Sequence, residues 1–247
     1  MKMFACVLAS LVCVGSAWAA SVAEDIEAYV RIFSGDASLH SDASDTLAWK
    51  GLSDPRLFDV IEQRLLVDAK AARNDRQEKN RVARYLRDLG FSGQSKYIPT
   101  IKQFVSDDVY ERYAKAALED LPDYQRWNPI IANRATFDPK FSDDTNRVLN
   151  MLRADDLMLK RLGAKRVFFK HREPEVLELL AQELKANHHK ADRSTADAVA
   201  WMVKALGQPL LAKYKPLIEE VAASAREDKV IKHANKVLEL YQQKGAR

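Results

Sequence analysis

Apolar side chains recur along most of this chain at the spacing of one face of a helix. Val82, Tyr85, Leu86 and Leu89 stand at i, i+3, i+4 and i+7, which places them on a single stripe. Tyr110, Tyr113, Ala114, Ala117, Leu118 and Leu121 form a second stripe, and Val230, Ala234, Val237, Leu238 and Tyr241 a third. Between them lie helix-start signals, Asp54-Pro55 and Glu173-Pro174. There the acid favours the positive helix end, and proline at the first helical position gives up no needed N–H. Gly90 and Gly207, each after a leucine, predict left-handed residues just past a helix end. No run alternates with the period of two expected of strands. An all-α chain of short helices follows.

The stripes also repeat as a set. Val82, Ala83, Leu89, Gly90, Lys96, Tyr97, Pro99 and Ile101 recur 117 residues later as Val199, Ala200, Leu206, Gly207, Lys213, Tyr214, Pro216 and Ile218. Upstream, Asp54–Leu65 matches Glu173–Leu184 at an offset of 119, and downstream Tyr110–Leu121 matches Val230–Tyr241 at 120. Three blocks in one order predict two copies of one unit, over residues 20–139 and 140–247, each of about six short helices. The join, Pro122–Ser142, carries Pro129 and Pro139 and few helix signals.

The stretches ARYLRDLG (Ala83–Gly90) and KYIPTIKQF (Lys96–Phe104), with an acid-Pro turn before them, resemble HEAT repeats. The likeness extends over Ala43–Leu121 and Ala164–Tyr241, and there is no 34-residue period of the tetratricopeptide kind. The resemblance implies an α-solenoid of antiparallel helix pairs, armadillo-like in build, in which stacked neighbours form one continuous core. It also implies a scaffold that binds another macromolecule and does no chemistry of its own.

The first residues carry a different signal. Met1-Lys2 precedes Met3–Gly15, an uncharged run of 13 mostly apolar residues, and the small-x-small triplet Ala17-Trp18-Ala19 follows. That layout predicts a signal peptide, residues 1–19, cut between Ala19 and Ala20, and a periplasmic or secreted protein. The run is shorter than the ~20 apolar residues a membrane span needs. Cys6 and Cys13 both lie inside it, so the mature chain would have no disulfide, thiol nucleophile or thiolate metal site.

Composition then narrows the chemistry. With 8 Gly and 8 Pro in 247 residues, the chain lacks the turn signals of a β-sandwich or barrel. It has no G-x-G-x-x-G, Walker A, G-x-S-x-G or H-E-x-x-H pattern, so neither a cofactor nor a catalytic set is expected. Of the five histidines, His40, His171, His188, His189 and His233, the pair His188-His189 with Asp192 predicts a solvated loop. His233 aligns with Tyr113 and predicts a partly buried, hydrogen-bonded ring. The acidic pairs Asp107-Asp108, Asp143-Asp144 and Asp155-Asp156 stand where helices should begin and predict caps.

Charge breaks the internal symmetry. Residues 20–139 hold 17 basic and 20 acidic residues, whereas 140–247 hold 21 and 15. Lys160, Arg161, Lys165, Arg166, Lys170 and Arg172 supply six of those cations in 13 residues, where the first copy has Ser41, Asp42, Thr46, Leu47, Gly51 and Ser53. On a helix Arg161, Lys165 and Arg172 would share one face. The expected function is a scaffold for a protein partner in the cell envelope, with anionic lipid or polysaccharide at the 160–172 helix as the alternative. A solvated, acid-paired face explains the same charges. Nucleic acid is disfavoured by a pI of about 8.9 and the export signal.

Overall fold

The computed structural model describes residues 16–72 and 75–245, with side chains described from Val22 to Lys244. The charged start and apolar run of the predicted signal peptide fall outside them. The described residues contain no strand and form twelve α-helices. The first six are α1 (Ser16–Ser34), α2 (His40–Leu47), α3 (Pro55–Ala71), α4 (Arg76–Phe91), α5 (Ile98–Lys102) and α6 (Glu111–Ile131). The second six are α7 (Asp143–Arg153), α8 (Leu157–Phe169), α9 (Pro174–Asn187), α10 (Ala196–Gly207), α11 (Lys215–Ser224) and α12 (Asp228–Gly245). Odd-numbered helices make one layer, with α1 on α3 and α7 on α9. Even-numbered helices make the other, with α2 on α4, α4 on α6, α8 on α10 and α10 on α12. Pairs such as α3 with α4 and α11 with α12 join the layers, the build of an α-solenoid.

The starts are capped as the residue types dictate. Asp54 accepts the Arg56 N–H at 2.9 Å ahead of Pro55, and Asp75 accepts from Glu78 at 2.8 Å. Asp156 accepts from Met158 and Leu159 at 2.8 and 3.1 Å, and Ser142 caps α7 from just before Asp143. Glu173 precedes α9 without a side-chain cap, because its carboxylate accepts from Thr145 instead, at 2.8 Å.

The duplication is visible in tertiary contacts as well as in sequence. Lys96 and Tyr97 both reach Asp59, at 2.6 and 2.8 Å, while Lys213 and Tyr214 both reach Glu178, at 3.0 and 3.3 Å. The recurrent Lys-Tyr is therefore a clamp that ties each short 3-10 turn to the helix two elements earlier. Gly93 and its counterpart Leu210 also share a left-handed backbone, with φ of 66° and 49°. For leucine that conformation is strained.

Gly90 and Gly207 differ from expectation. Both lie within helices and neither has positive φ. Their role is close approach. A Cβ on Gly90 would sit 2.7 Å from the Ala117 carbonyl oxygen, and one on Gly207 2.3 Å from Val237 Cγ1. Ala117 and Val237 are themselves counterparts, so the same helix crossing is built twice.

The predicted join is also corrected at its start. α6 continues through Pro122 and Pro129 to Ile131. Both prolines face outward, so each costs one backbone hydrogen bond on the exposed side but displaces no core side chain. The core changes hands along this helix. Leu121 packs with Phe58, Ile61, Leu65 and Leu86 in one apolar cluster. Tyr124, Trp127 and Ile131 pack with Leu152, Leu159 and Leu180 in the other.

Candidate binding groove

Where α2, α4 and α6 come up against α8 and α10, a groove of about 410 Å³ opens. Trp49, Phe91 and Tyr124 line it from the first copy, and Leu162, Phe169 and Trp201 from the second. Phe91 and Tyr124 hold each other with ring centroids 4.7 Å apart. Phe168 meets both Phe169 and Trp201 edge-on, at 5.1 and 5.7 Å. Phe169 nevertheless leaves 64% of its surface exposed, which for a large ring is an unsatisfied apolar face.

Cations in and next to the groove sit on its rings. Arg166 lies 4.4 Å from the Trp49 centroid, and Lys165 and Lys204 lie 5.3 and 3.5 Å from that of Trp201. Each is attracted by the ring's negative face. Among the described residues neither Lys165 nor Lys204 has a carboxylate within 4.0 Å. Burial, and after it the neighbouring Arg161, holds the Lys165 ammonium below the ordinary lysine value. Burial does the same to Lys204. Asp197 acts on both from beyond ion-pair distance and opposes that shift without cancelling it.

The six cations singled out in sequence do not form one surface. Lys160 is corrected outright, being 5% exposed, with its ammonium given to the Leu152 carbonyl at 2.9 Å and to Glu183. It belongs to the α7–α8–α9 core. Arg161 is drawn to Asp197 at 2.5 Å, where Lys229 also binds at 2.5 Å, so α8, α10 and α12 meet at one carboxylate. Lys165 and Arg166 face the groove and Trp49. Arg172 lies beyond the end of α8 and donates to the Phe168 carbonyl at 2.5 Å, so it shares no helical face with Arg161 and Lys165.

Lys170 lines a second cleft, of about 440 Å³, on the other side of α8. Charges there answer one another. Asp144 accepts from Lys50 and Arg147 at 2.7 and 2.9 Å, and Arg147 reaches across to Asp25 of α1 at 2.5 Å. His171 is buried beside them, with Nδ1 3.1 Å from Thr145 Oγ1. Since the Thr145 hydroxyl donates to Glu173, the His171 proton belongs on Nδ1 and Nε2 faces Arg166 at 3.5 Å. A ring protonated toward the hydroxyl cannot take its proton, so this is no nucleophile–base pair.

The remaining histidine expectations divide. His188 is buried, not solvated, within 3.2 Å of the Leu184 carbonyl and 3.0 Å of Ser224 Oγ. It closes the end of α9, while His189 stays exposed. His233 is half-buried, and its ring makes no hydrogen bond among the described residues. Among the described residues no three His, Cys, Asp or Glu side chains converge as metal ligands, and no helix is long and apolar enough to cross a membrane.

Sequence reasoning missed Trp49, Arg87, Phe91, Tyr124 and Trp201. A signal was present for one of them, because at the repeat offsets Trp201 stands against Arg84, whereas Trp49 stands against another aromatic ring, Phe168.

No family model and no curated protein matches the chain. Among solved structures it is similar to human deoxyhypusine hydroxylase in complex with glycerol, at 14% identity and a TM-score of 0.37, over 91% of this chain and 98% of that one. Two expectations change. Without a matching family model, the assignment to the HEAT family does not hold, and what stands is the all-α, internally duplicated arrangement of helix pairs. The matched structure is that of an enzyme, and the expectation of a chain without chemistry of its own is withdrawn. At that TM-score the likeness carries nothing about activity here.

Proposed function

We propose that this is an exported binding protein whose groove takes an acidic segment of a partner protein. The observation that carries the proposal is the pairing of two tryptophans with carboxylate-free cations beside an exposed phenylalanine. Protein interfaces concentrate their energy in such Trp, Tyr and Arg anchors. An acidic segment would supply the ion-pair partner that Lys165 lacks while its apolar side chains cover Phe169. A photo-reactive phenylalanine at position 169 should yield one discrete adduct in cells, and the same group at Val67, 66% exposed on α3, should not. Equal labelling from both positions would sink the proposal.

A surface for anionic lipid or polysaccharide along residues 160–172 draws on fewer charges than the sequence suggests, since Lys160 and Arg161 are committed internally. Export rests on the charged start, the apolar run and the Ala17-Trp18-Ala19 triplet. Protein recovered outside the cytoplasm should begin at Ala20 on N-terminal sequencing. Recovery only from the cytoplasm, starting at Met1, would contradict export.

A further inference from the structure

The two copies differ at one equivalent place in a way that creates a second site. In the first copy Arg87 is 3.4 Å from Asp120 and lies 5.2 Å from the Phe91 ring, beside Gly90. At the repeat offsets these residues become Lys204, Leu240 and Gln208, beside Gly207. The cation is kept, while its carboxylate has become a leucine and the space-filling ring an exposed amide.

The consequence is a cavity of about 440 Å³ between α10 and α12. Phe168, Val237 and Leu240 give it an apolar lining, and Lys204, His233 and Lys236 stand among them. Leu240 is 47% exposed. Among the described residues neither Lys204 nor Lys236 has a carboxylate within 4.0 Å. Burial first, then Lys204 and Lys236, hold His233 below the ordinary histidine value, so its ring is neutral near pH 7. An apolar cavity of this size with a few convergent polar groups has the character of a small-molecule site. The missing partner is a single negative charge.

We infer that this cavity binds a fatty-acid-class anion, its acyl chain on Phe168, Val237 and Leu240 and its carboxylate at Lys204 and Lys236. The ligand restores the counter-charge that Asp120 provides in the first copy. This cavity and the groove share no lining residue, and substitution at Leu240 tests the cavity without touching the groove.

Lys204 lies 3.5 Å from the Trp201 ring, so tryptophan emission reports directly on occupancy. Titration of the whole protein with dodecanoate, below its micelle concentration, should change that emission and saturate at one equivalent. Calorimetry should give the same stoichiometry. 1-Dodecanol, which has the chain without the charge, should bind at least tenfold more weakly. Leu240→Asp supplies Lys204 with an internal carboxylate at an exposed position, and should weaken dodecanoate at least tenfold with an unchanged melting curve. Dodecanol binding as well as dodecanoate, Leu240→Asp binding as well as wild type, or no saturable binding at all would each overturn the inference.

Discussion

Replacing Gly93 by alanine should lower the melting temperature by about 4–20 °C. Two costs combine there. Gly93 holds φ at 66°, a region that costs an L-residue roughly 1–2 kcal/mol. Its added Cβ would also stand 2.6 and 2.7 Å from Gln125 N and Cα, and 2.8 Å from Tyr124 C. Those are backbone atoms of α6, so no side chain can swing aside, and the α4 and α6 helices must part. Overpacking of that kind adds about 1–3 kcal/mol. A total of about 2–5 kcal/mol is a large share of a typical folding stability, and each kcal/mol moves the midpoint of a chain this size by ~2–4 °C. Leu210→Ala at the equivalent site should do much less, because that position already holds an L-residue in the left-handed region. Thermal unfolding of the two variants side by side checks the account. A Gly93→Ala midpoint within about 3 °C of wild type would contradict it, given that scale.

The second large effect is expected from Asp88, and it depends on pH. Asp88 is 1% exposed, accepts a hydrogen bond from Ser44 at 2.5 Å and leaves Oδ1 without a partner. Burial pushes its carboxyl up to about 7, against the pull of Ser44, Arg84 and Arg87. The native state thus keeps a proton that the unfolded chain releases near pH 4. Stability from this group is full below about pH 4, falls as pH rises, and is lost above about 7. Ionising a carboxyl displaced that far costs ~4 kcal/mol. The second copy shows the alternative, since Ser44 and Asp88 correspond to Gly163 and Ala205, an apolar crossing of α8 on α10. Asp88→Asn should therefore raise the unfolding free energy by roughly 2–4 kcal/mol at pH 8, and by only about 1–2 kcal/mol at pH 5. Urea denaturation at the two pH values measures both. An equal change at both, or a loss at pH 8, would show that Asp88 is already ionised in the folded protein.

Both predictions rest on features that the sequence presented without their meaning. Repeat arithmetic alone located Gly93, Leu210, Gly90 and Gly207, because a unit stacked twice reuses its turns and crossings. It could not say which glycines serve φ and which serve close approach. Leu-Gly at a helix end has the same spelling in both cases, and only the neighbouring helix decides. Lys160 was misplaced for a related reason. Lysine on a helix is usually solvated, and the Glu183 and Leu152 carbonyl that draw it inward come from α9 and α7, elements whose packing no local pattern states. α6 ran past its prolines because helix signals count proline as a stop, whereas Pro122 and Pro129 stand on the exposed side. The groove was the least legible feature. Its walls come from five helices, so its aromatic residues share no period, and only Trp201, which replaces Arg84 of the first copy, was marked by the repeat.

The central claim is that Lys165 and its neighbours attract an acidic partner segment to the rings around Phe169. Its most direct test is the adduct formed through a photo-reactive residue at position 169, compared with and without Lys165→Glu. Reversing a charge that the protein leaves without a carboxylate should abolish the adduct while the melting curve stays within a few degrees of wild type. An adduct of undiminished yield in Lys165→Glu would contradict the claim.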